Sequence, residues 1–306
     1  MSTPADPLLL ALDLGTSSVK VILVTPGGQV VGRGTGDYAI RSPQPRQAEQ
    51  DPGDWWAAVS QAVRAAVTPA HAPRVAAIGL SGQMHGTLLL DRQGELLAPA
   101  VIWPDQRSQA EVRAITAEIG AEALIDLTGS PLATGFQAAT LAWLRHHRPD
   151  LWAKIGHILL PKDYLRWRLT GRFATDPSDA AGTLLLDVRR RAWSPALLDR
   201  LALDPDWLPP IRPAASVAGE LTHAAAQVLG LRPGIPVITG AADTPCSALG
   251  AGVLTPDTLL LTLSTGGQLL LPAQTVAVDR RGRIHTFCSA LEPTPQQAGW
   301  YQMAAL

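Results

Sequence analysis

The sequence predicts an α/β protein, and three observations carry that prediction. Short apolar runs alternate with stretches of helical period, as when strands and their covering helices follow one another. The first two runs are joined by the tight turn Gly15-Thr16-Ser17-Ser18, which fits a hairpin. Several other runs stop at a glycine-containing loop, the place where ligands gather in open α/β sheets.

Taken in order, residues 8–14 and 19–25 read as strands, and Gly27-Gly28 turns the chain into a third strand over 30–34. A helix follows over 54–67, with Asp54 as its cap and Trp55, Val59, Ala62 and Val63 on its apolar face. A buried strand over 75–80 comes next. After Trp103 the pattern turns helical, over 106–119, 137–147 and 163–169, the last ended by Gly171. Pro-rich connectors flank a helix over 222–229 that Gly230 stops. A strand at 236–238, a small-residue helix over 240–252 and apolar strands at 258–263, 268–271 and 284–290 complete the chain. A domain boundary is expected near residues 252–256, dividing the chain into 1–254 and 255–306.

Composition excludes several classes. With 306 residues, 46% hydrophobic and 17% charged, the chain can bury a real core and is neither disordered nor fibrous. A net charge of −1 gives no electrostatic argument for nucleic acid or an acidic membrane. The two cysteines, Cys246 and Cys288, form no framework and no metal spacing. A reduced, cytoplasmic setting is the expectation, and no apolar run approaches the length a bilayer demands.

Five segments could carry chemistry, and each has an ordinary structural alternative. Asp13-Leu14-Gly15-Thr16-Ser17-Ser18 could turn backbone N–H groups toward phosphate oxygens, with Asp13 organising a Mg²⁺ that keeps most of its waters; it could equally be a plain hairpin. Ser81-Gly82-Gln83-Met84-His85-Gly86 offers donors and acceptors for sugar hydroxyls, or a satisfied buried imidazole. Trp103-Pro104-Asp105-Gln106-Arg107 could stack on a sugar face and grip its hydroxyls, or simply start a helix. Gly240-Ala241-Ala242-Asp243-Thr244 presents a carboxylate that could meet a substrate hydroxyl or cap the helix after it. Leu263-Ser264-Thr265-Gly266-Gly267 is a second small-residue turn between apolar strands.

In order and spacing these segments resemble the FGGY family of carbohydrate kinases, most closely its xylulokinase branch. Glu49-Gln50-Asp51-Pro52 with Trp55-Trp56, Leu160-Pro161-Lys162-Asp163-Tyr164-Leu165-Arg166 and Ser178-Asp179-Ala180-Ala181-Gly182-Thr183 add to the match, which runs from about Leu8 to the chain end. The resemblance implies an actin-like ATPase (ribonuclease H-like) N-terminal domain, a mixed sheet flanked by helices, that binds the sugar, and the start of an incomplete second actin-like domain. It implies ATP-dependent phosphorylation of D-xylulose to D-xylulose 5-phosphate, with Mg²⁺. Asp243 falls at the catalytic position, where the family's Asp accepts the proton of the sugar hydroxyl; at an ordinary carboxylate pKa of roughly 4 it would be a weak base whose job is partly to orient that hydroxyl. Gln83, Met84, His85, Trp103, Asp105 and Thr244 fall on the sugar side. Asp13, Gly15, Thr16 and Ser17 fall at the first phosphate turn, and Ser264, Thr265, Gly266 and Gly267 at the second.

Three departures from the family pattern set further expectations. Thr244 replaces an amide beside the catalytic position, and Ser264 replaces a glycine in the second turn. The family's adenine and ribose site is not matched by the residues after Gly267, so a truncated chain is expected. Its strands at 258–271 and 284–290 would then expose an apolar face. The alternatives are a non-catalytic sugar-binding fragment, an inactive remnant, or a kinase of the family for another sugar or polyol. The partners implied are a small sugar and either a homodimer mate or a complementary C-terminal chain.

Overall fold

Burial alternates along the first strands of the chain. In Leu8–Leu14, Leu8, Leu10, Leu12 and Leu14 are buried, and in Ser18–Val24 so are Val19, Val21 and Leu23. This period of two fixes register, because a slip by one residue would expose the whole set. The computed structural model describes residues 6–263 and 267–305.

The central sheet has seven strands, in the order Val217–Glu220, Pro236–Ile238, Val75–Gly82, Leu8–Leu14, Ser18–Val24, Val30–Asp37, with Ala241–Ala242 pairing at the end of Val75–Gly82. Leu8–Leu14 runs antiparallel to Ser18–Val24 and parallel to Val75–Gly82. The sheet is therefore mixed, and helices flank it, as predicted. Asp13 pairs across the hairpin with Lys20 and on its other side with Ser81. Ala241 and Ala242 pair with Ser81 and Gly82. The register thus gathers the ends of three strands at one edge, carrying Asp13, Gly82 and the turn before Asp243.

The helix Pro52–Ala66 covers one face of this sheet with Trp55, Val59, Ala62 and Val63. Its cap is Asp51, whose Oδ1 accepts from Gly53 N at 2.9 Å, and not the expected Asp54. Pro52 explains the difference: its fixed φ and missing N–H suit the first helical position, which moves the cap one residue upstream of it. The helix lies unusually close to Val30–Asp37 because that strand presents Gly32, Gly34 and Gly36 to it. A Cβ on Gly34 would fall 1.9 Å from the carbonyl oxygen of Ala62, and one on Gly32 would fall 2.0 Å from that of Ala66.

Other starts shift for similar reasons. The helix expected over 106–119 begins at Gln109, because Asp105 is folded back onto the N–H and side chain of Arg107. The small-residue helix is Asp243–Gly250, preceded by the short strand Ala241–Ala242. The helix Pro161–Thr170 ends at Gly171 and His223–Leu229 at Gly230, both left-handed as their residue type favours.

A second, antiparallel sheet has the order Leu260–Leu263, Gly267–Ala273, Trp300–Ala305, His285–Cys288. Leu270, Phe287, Cys288 and Tyr301 pack with Leu141, Ala180, Ala181 and Leu185 in a core separate from that of the central sheet. The expected apolar exposure holds for one side only. Leu259, Leu261, Leu263 and Leu271 are exposed, but Phe287 and Cys288 are fully buried. Their strand lies against the helix Pro177–Ala181. Among the described residues, no helix is long and apolar enough to cross a membrane.

Candidate functional site

The hairpin turn after Asp13 is held from several sides. Gly15 N donates to Ser18 O at 3.0 Å, and the Tyr38 hydroxyl donates to Gly15 O at 2.5 Å. Ser17 O accepts from Tyr38 N at 3.1 Å. Gln50 Nε2 donates to Thr16 O at 2.7 Å, while Gln50 Oε1 accepts from Trp55 Nε1 and from Gln83 Nε2. The turn is a hairpin, and it is also a rigid one.

Asp13 and Gly15 line a cavity of about 300 Å³ together with Lys20, Asp243, Thr244, Thr262 and Gln268. A more apolar cavity of about 510 Å³ adjoins it along Ala11, Ile22, Gly79 and Ile238, sharing Asp13, Lys20, Asp243 and Ser247. The two carboxylates singled out from the sequence thus face one space, with an ammonium group at its wall. Lys20 was not singled out beforehand; its place opposite Asp13 in the hairpin register was the available signal.

Asp243 opens its helix, and Ala242 sits at the cap position without a side-chain bond. Asp243 is therefore not the cap. Its Oδ1 accepts from Thr244 N at 2.6 Å and from the Thr244 hydroxyl at 3.2 Å. Burial, with the nearby Asp13 charge adding, pushes its carboxyl up to about 6 against the opposing pull of those bonds. The ordinary pKa expected for it is corrected accordingly: desolvation disfavours the charged form. Thr244, expected to contact the sugar, spends its hydroxyl on Asp243.

His85 adopts φ of +70°, a left-handed conformation that a side chain of this size rarely takes. Its Nδ1 lies 2.6 Å from Gly182 O. A carbonyl only accepts, so Nδ1 carries the hydrogen and Nε2 is left as an acceptor. Burial pushes the imidazole down to about 4, so it is neutral near pH 7. The ring packs 4.2 Å from that of Phe136. Gly182 also makes room for Met84, whose Cε would lie 2.9 Å from a Cβ placed there. Neither Phe136 nor Gly182 was singled out as a site residue, since nothing local to either marks it as a neighbour of residue 85.

Two expected sugar contacts are committed elsewhere. Asp105 is buried; its Oδ2 accepts from Ala48 N at 2.7 Å and its Oδ1 from Arg107 N and Nε at 2.9 Å. Gln83 is buried and donates to Gln50, with its Oε1 unpartnered. Trp103 stays half-exposed, and its Nε1 donates to the Thr16 hydroxyl at 2.9 Å. It joins the predicted sugar side to the predicted phosphate turn. Of the second turn, Ser264, Thr265 and Gly266 lie outside the described residues, and Gly267 pairs with Leu263.

Comparison with known proteins places the chain in a family. Residues 8–250 match the N-terminal domain of the FGGY family of carbohydrate kinases. The chain is 37% identical over 299 residues to the xylulose kinase of Escherichia coli K12, covering 98% of this chain and 60% of that protein. It is 34% identical over 284 residues to the xylulose kinase of Bacillus subtilis 168. Among solved structures, a xylulose kinase from Brucella ovis superposes with a TM-score of 0.90 at 36% identity, and one from Rhodospirillum rubrum with 0.91 at 28%. The chain spans 60% of each of those two structures as well. By the match over residues 8–250 and by these relatives, the chain belongs to the FGGY family of carbohydrate kinases.

Proposed function

We propose that this chain supplies the sugar pocket and the first phosphate turn of an ATP-dependent kinase that phosphorylates D-xylulose at its terminal hydroxyl. The observation that carries this reading is the shared cavity of Asp13, Gly15, Lys20 and Asp243. It sets a carboxylate with a raised pKa beside a backbone turn of phosphate-binding type. The relatives named xylulose kinase supply the sugar. Because the chain spans about 60% of their length, the activity is assigned to the whole protein. Within it, residues 1–254 form the sugar-binding domain and 255–306 the beginning of the second.

Asp243 accepts the proton of the sugar hydroxyl as that oxygen bonds to the γ-phosphorus of ATP. The bond from that phosphorus to the ADP oxygen breaks, leaving ADP and the sugar phosphate. In a loose transition state the proton moves late, so orientation counts for more than base strength. A carboxyl pushed up to about 6 is nonetheless a better acceptor than an ordinary one. The neutral His85 offers Nε2 to a sugar hydroxyl, with Met84 beside it. Lys20 is a compact cation suited to phosphoryl oxygens.

Mg²⁺ fits this donor set. It prefers one or two carboxylates plus substrate phosphates and waters, and Asp13 is the carboxylate available at the turn. Among the described residues no group of three or more ligating side chains gathers, which suits a cation that arrives with the nucleotide. When bound, it would neutralise charge on the phosphate oxygens. The second phosphate contact is assigned to Ser264–Gly267 from the sequence alone. Both cysteines are free thiols, in keeping with a cytoplasmic setting.

Isothermal titration of the chain with D-xylulose, and separately with Mg²⁺-ATP, tests the reading. Sugar binding that is lost in His85→Ala is the expected result. Failure of the wild-type chain to bind the sugar would sink the assignment. Equal binding by wild type and His85→Ala would remove the pocket from this place.

A further inference from the structure

Beneath the strand ends lies a group of charged side chains with no exposure at all: Lys162, Asp163, Arg166, Asp176 and Asp179. Lys162 Nζ bonds to Asp163 Oδ1 at 2.7 Å and lies 3.2 Å from Asp176 Oδ1 and 3.5 Å from Asp179 Oδ2. Arg166 Nη1 donates to Asp163 Oδ1 at 2.8 Å. Burying ions is expensive, and an apolar replacement of the same volume often serves stability as well or better. Stability alone therefore does not account for such a group; where its bonds end is more informative.

They end on the segment that carries Asp243. Arg166 Nη1 donates to Thr239 O at 2.9 Å. The Ser178 hydroxyl donates to Asp176 Oδ2 at 2.5 Å and accepts from Ala242 N at 3.1 Å. Between these two grips, Gly240 at φ +79° is pressed onto Leu80, whose carbonyl oxygen would sit 2.4 Å from any Cβ there. The peptide groups flanking the turn are both fixed from below, and Asp243 follows directly. The same platform reaches the sugar side. The Lys162 stem underlies Gly82 at 3.4 Å from a notional Cβ, and Gly182, just past the helix that carries Ser178, holds His85.

We propose that the buried network of Lys162, Asp163, Arg166, Asp176 and Ser178 positions the Asp243 carboxylate, with Ser178 as the residue that acts on it most directly. This rests on the reading of Asp243 as proton acceptor. Ser178 is a positioning residue: it bonds the amide one residue before Asp243 and touches no substrate. Its hydroxyl is polarised by Asp176, itself paired with Lys162, so the bond to Ala242 N has an aligned and charge-supported acceptor. Burial, with Asp163, Asp176 and Asp243 adding, pushes Asp179 well above the ordinary carboxylate range, against the pull of Lys162.

The test compares Ser178→Ala with Ser178→Thr, which keeps the hydroxyl, in the full chain. Two quantities are read: D-xylulose affinity by calorimetry, and the titration of the Asp243 carboxyl carbon in chain labelled with ¹³C-aspartate, assigned by its loss in Asp243→Asn. Ser178→Ala is expected to weaken the sugar by about tenfold, the scale of one charge-supported hydrogen bond. It should also move the Asp243 midpoint down toward ordinary carboxylates, as the freed carboxyl turns to water. Ser178→Thr should stay near wild type in both. The proposal is overturned if Ser178→Ala matches wild type in both readouts, or if Ser178→Thr is displaced as far as Ser178→Ala, which would make the role one of packing. Should either variant fail to fold, Asp176→Asn, of unchanged volume, decides: it must shift the midpoint in the same direction, and an unshifted midpoint refutes the network. If the wild-type chain binds no D-xylulose, the sugar reading fails by itself and the carboxyl titration alone settles the positioning role.

Discussion

Asp163 and Asp243 belong to neighbouring regions, both carboxylates are drawn out of water, and they are pushed in opposite directions. Burial works against the charge of Asp163, but Lys162 and Arg166 beside it hold its carboxyl below the usual range. Among the described residues Asp243 has only neutral donors, the amide and hydroxyl of Thr244, and burial pushes it up to about 6. The difference lies in the partners, since desolvation acts on both. A paired buried carboxylate is fixed in one state and serves as structure. One given hydrogen bonds without a counter-charge is left able to exchange a proton near neutral pH. Asp163 has two cations in contact, whereas Asp243, the proposed proton acceptor, has none in contact among the described residues.

That contrast can be broken most severely at Lys162. Lys162→Met leaves Asp163 and Asp176 without their shared ammonium, and loss of one partner of a buried ion pair costs about 3–5 kcal/mol. Urea unfolding measures it. A loss below about 1 kcal/mol would mean that Arg166 or a protonated carboxyl compensates.

Asp243→Asn should act in the other direction and only above acid pH. A carboxyl raised in the folded state stabilises the fold while protonated. That contribution is complete below the unfolded value of roughly 4 and is lost as pH rises through about 6. The variant, uncharged throughout, should gain on wild type between those limits and level off higher, at on the order of 3 kcal/mol. A difference that stays flat with pH would return Asp243 to the ordinary carboxylates. Sugar turnover by the whole kinase should meanwhile be lost in the variant, a pairing of better stability with lost activity that a purely structural Asp243 would not give.

The smallest effect is expected at the surface. Arg41 Nη2 lies 3.0 Å from Asp54 and 3.5 Å from Asp51, with all three side chains well exposed. Arg41→Ala should cost at most about 0.5 kcal/mol, and less in high salt. A larger loss would show that exposure is a poor guide to what an ion pair contributes in this chain.

Much of this molecule was legible in its sequence. The strand ends at Asp13 and Gly82 were located by apolar runs that stop at small residues, because strand periodicity is a local property, whereas the short strand Ala241–Ala242 before Asp243 was read as part of a helix over 240–252. The site's internal commitments were less visible. Asp105 is held to Ala48, 57 positions away, and no local pattern reports that. Thr244 was placed on the substrate side because the resemblance puts it where the family carries an amide, whereas its geometry turns it back on Asp243. Lys162, Asp163 and Arg166 form a charged stretch that would ordinarily face water. Only the packing of Pro177–Ala181 and the turn before Asp243 against it makes that stretch the buried centre of the site.

The glycine stripe at positions 32, 34 and 36 acts as a spacer gauge for the whole hairpin turn after Asp13. The strand that bears it runs on into Tyr38, which grips Gly15. The helix pressed against it is entered just after Gln50, which grips Thr16. Both clamps on the turn hang from one laminated plate whose thickness is set by three missing side chains. A methyl group added anywhere along that seam would pry the clamps out of alignment from a distance, so the chain tolerates change least where it carries the least matter.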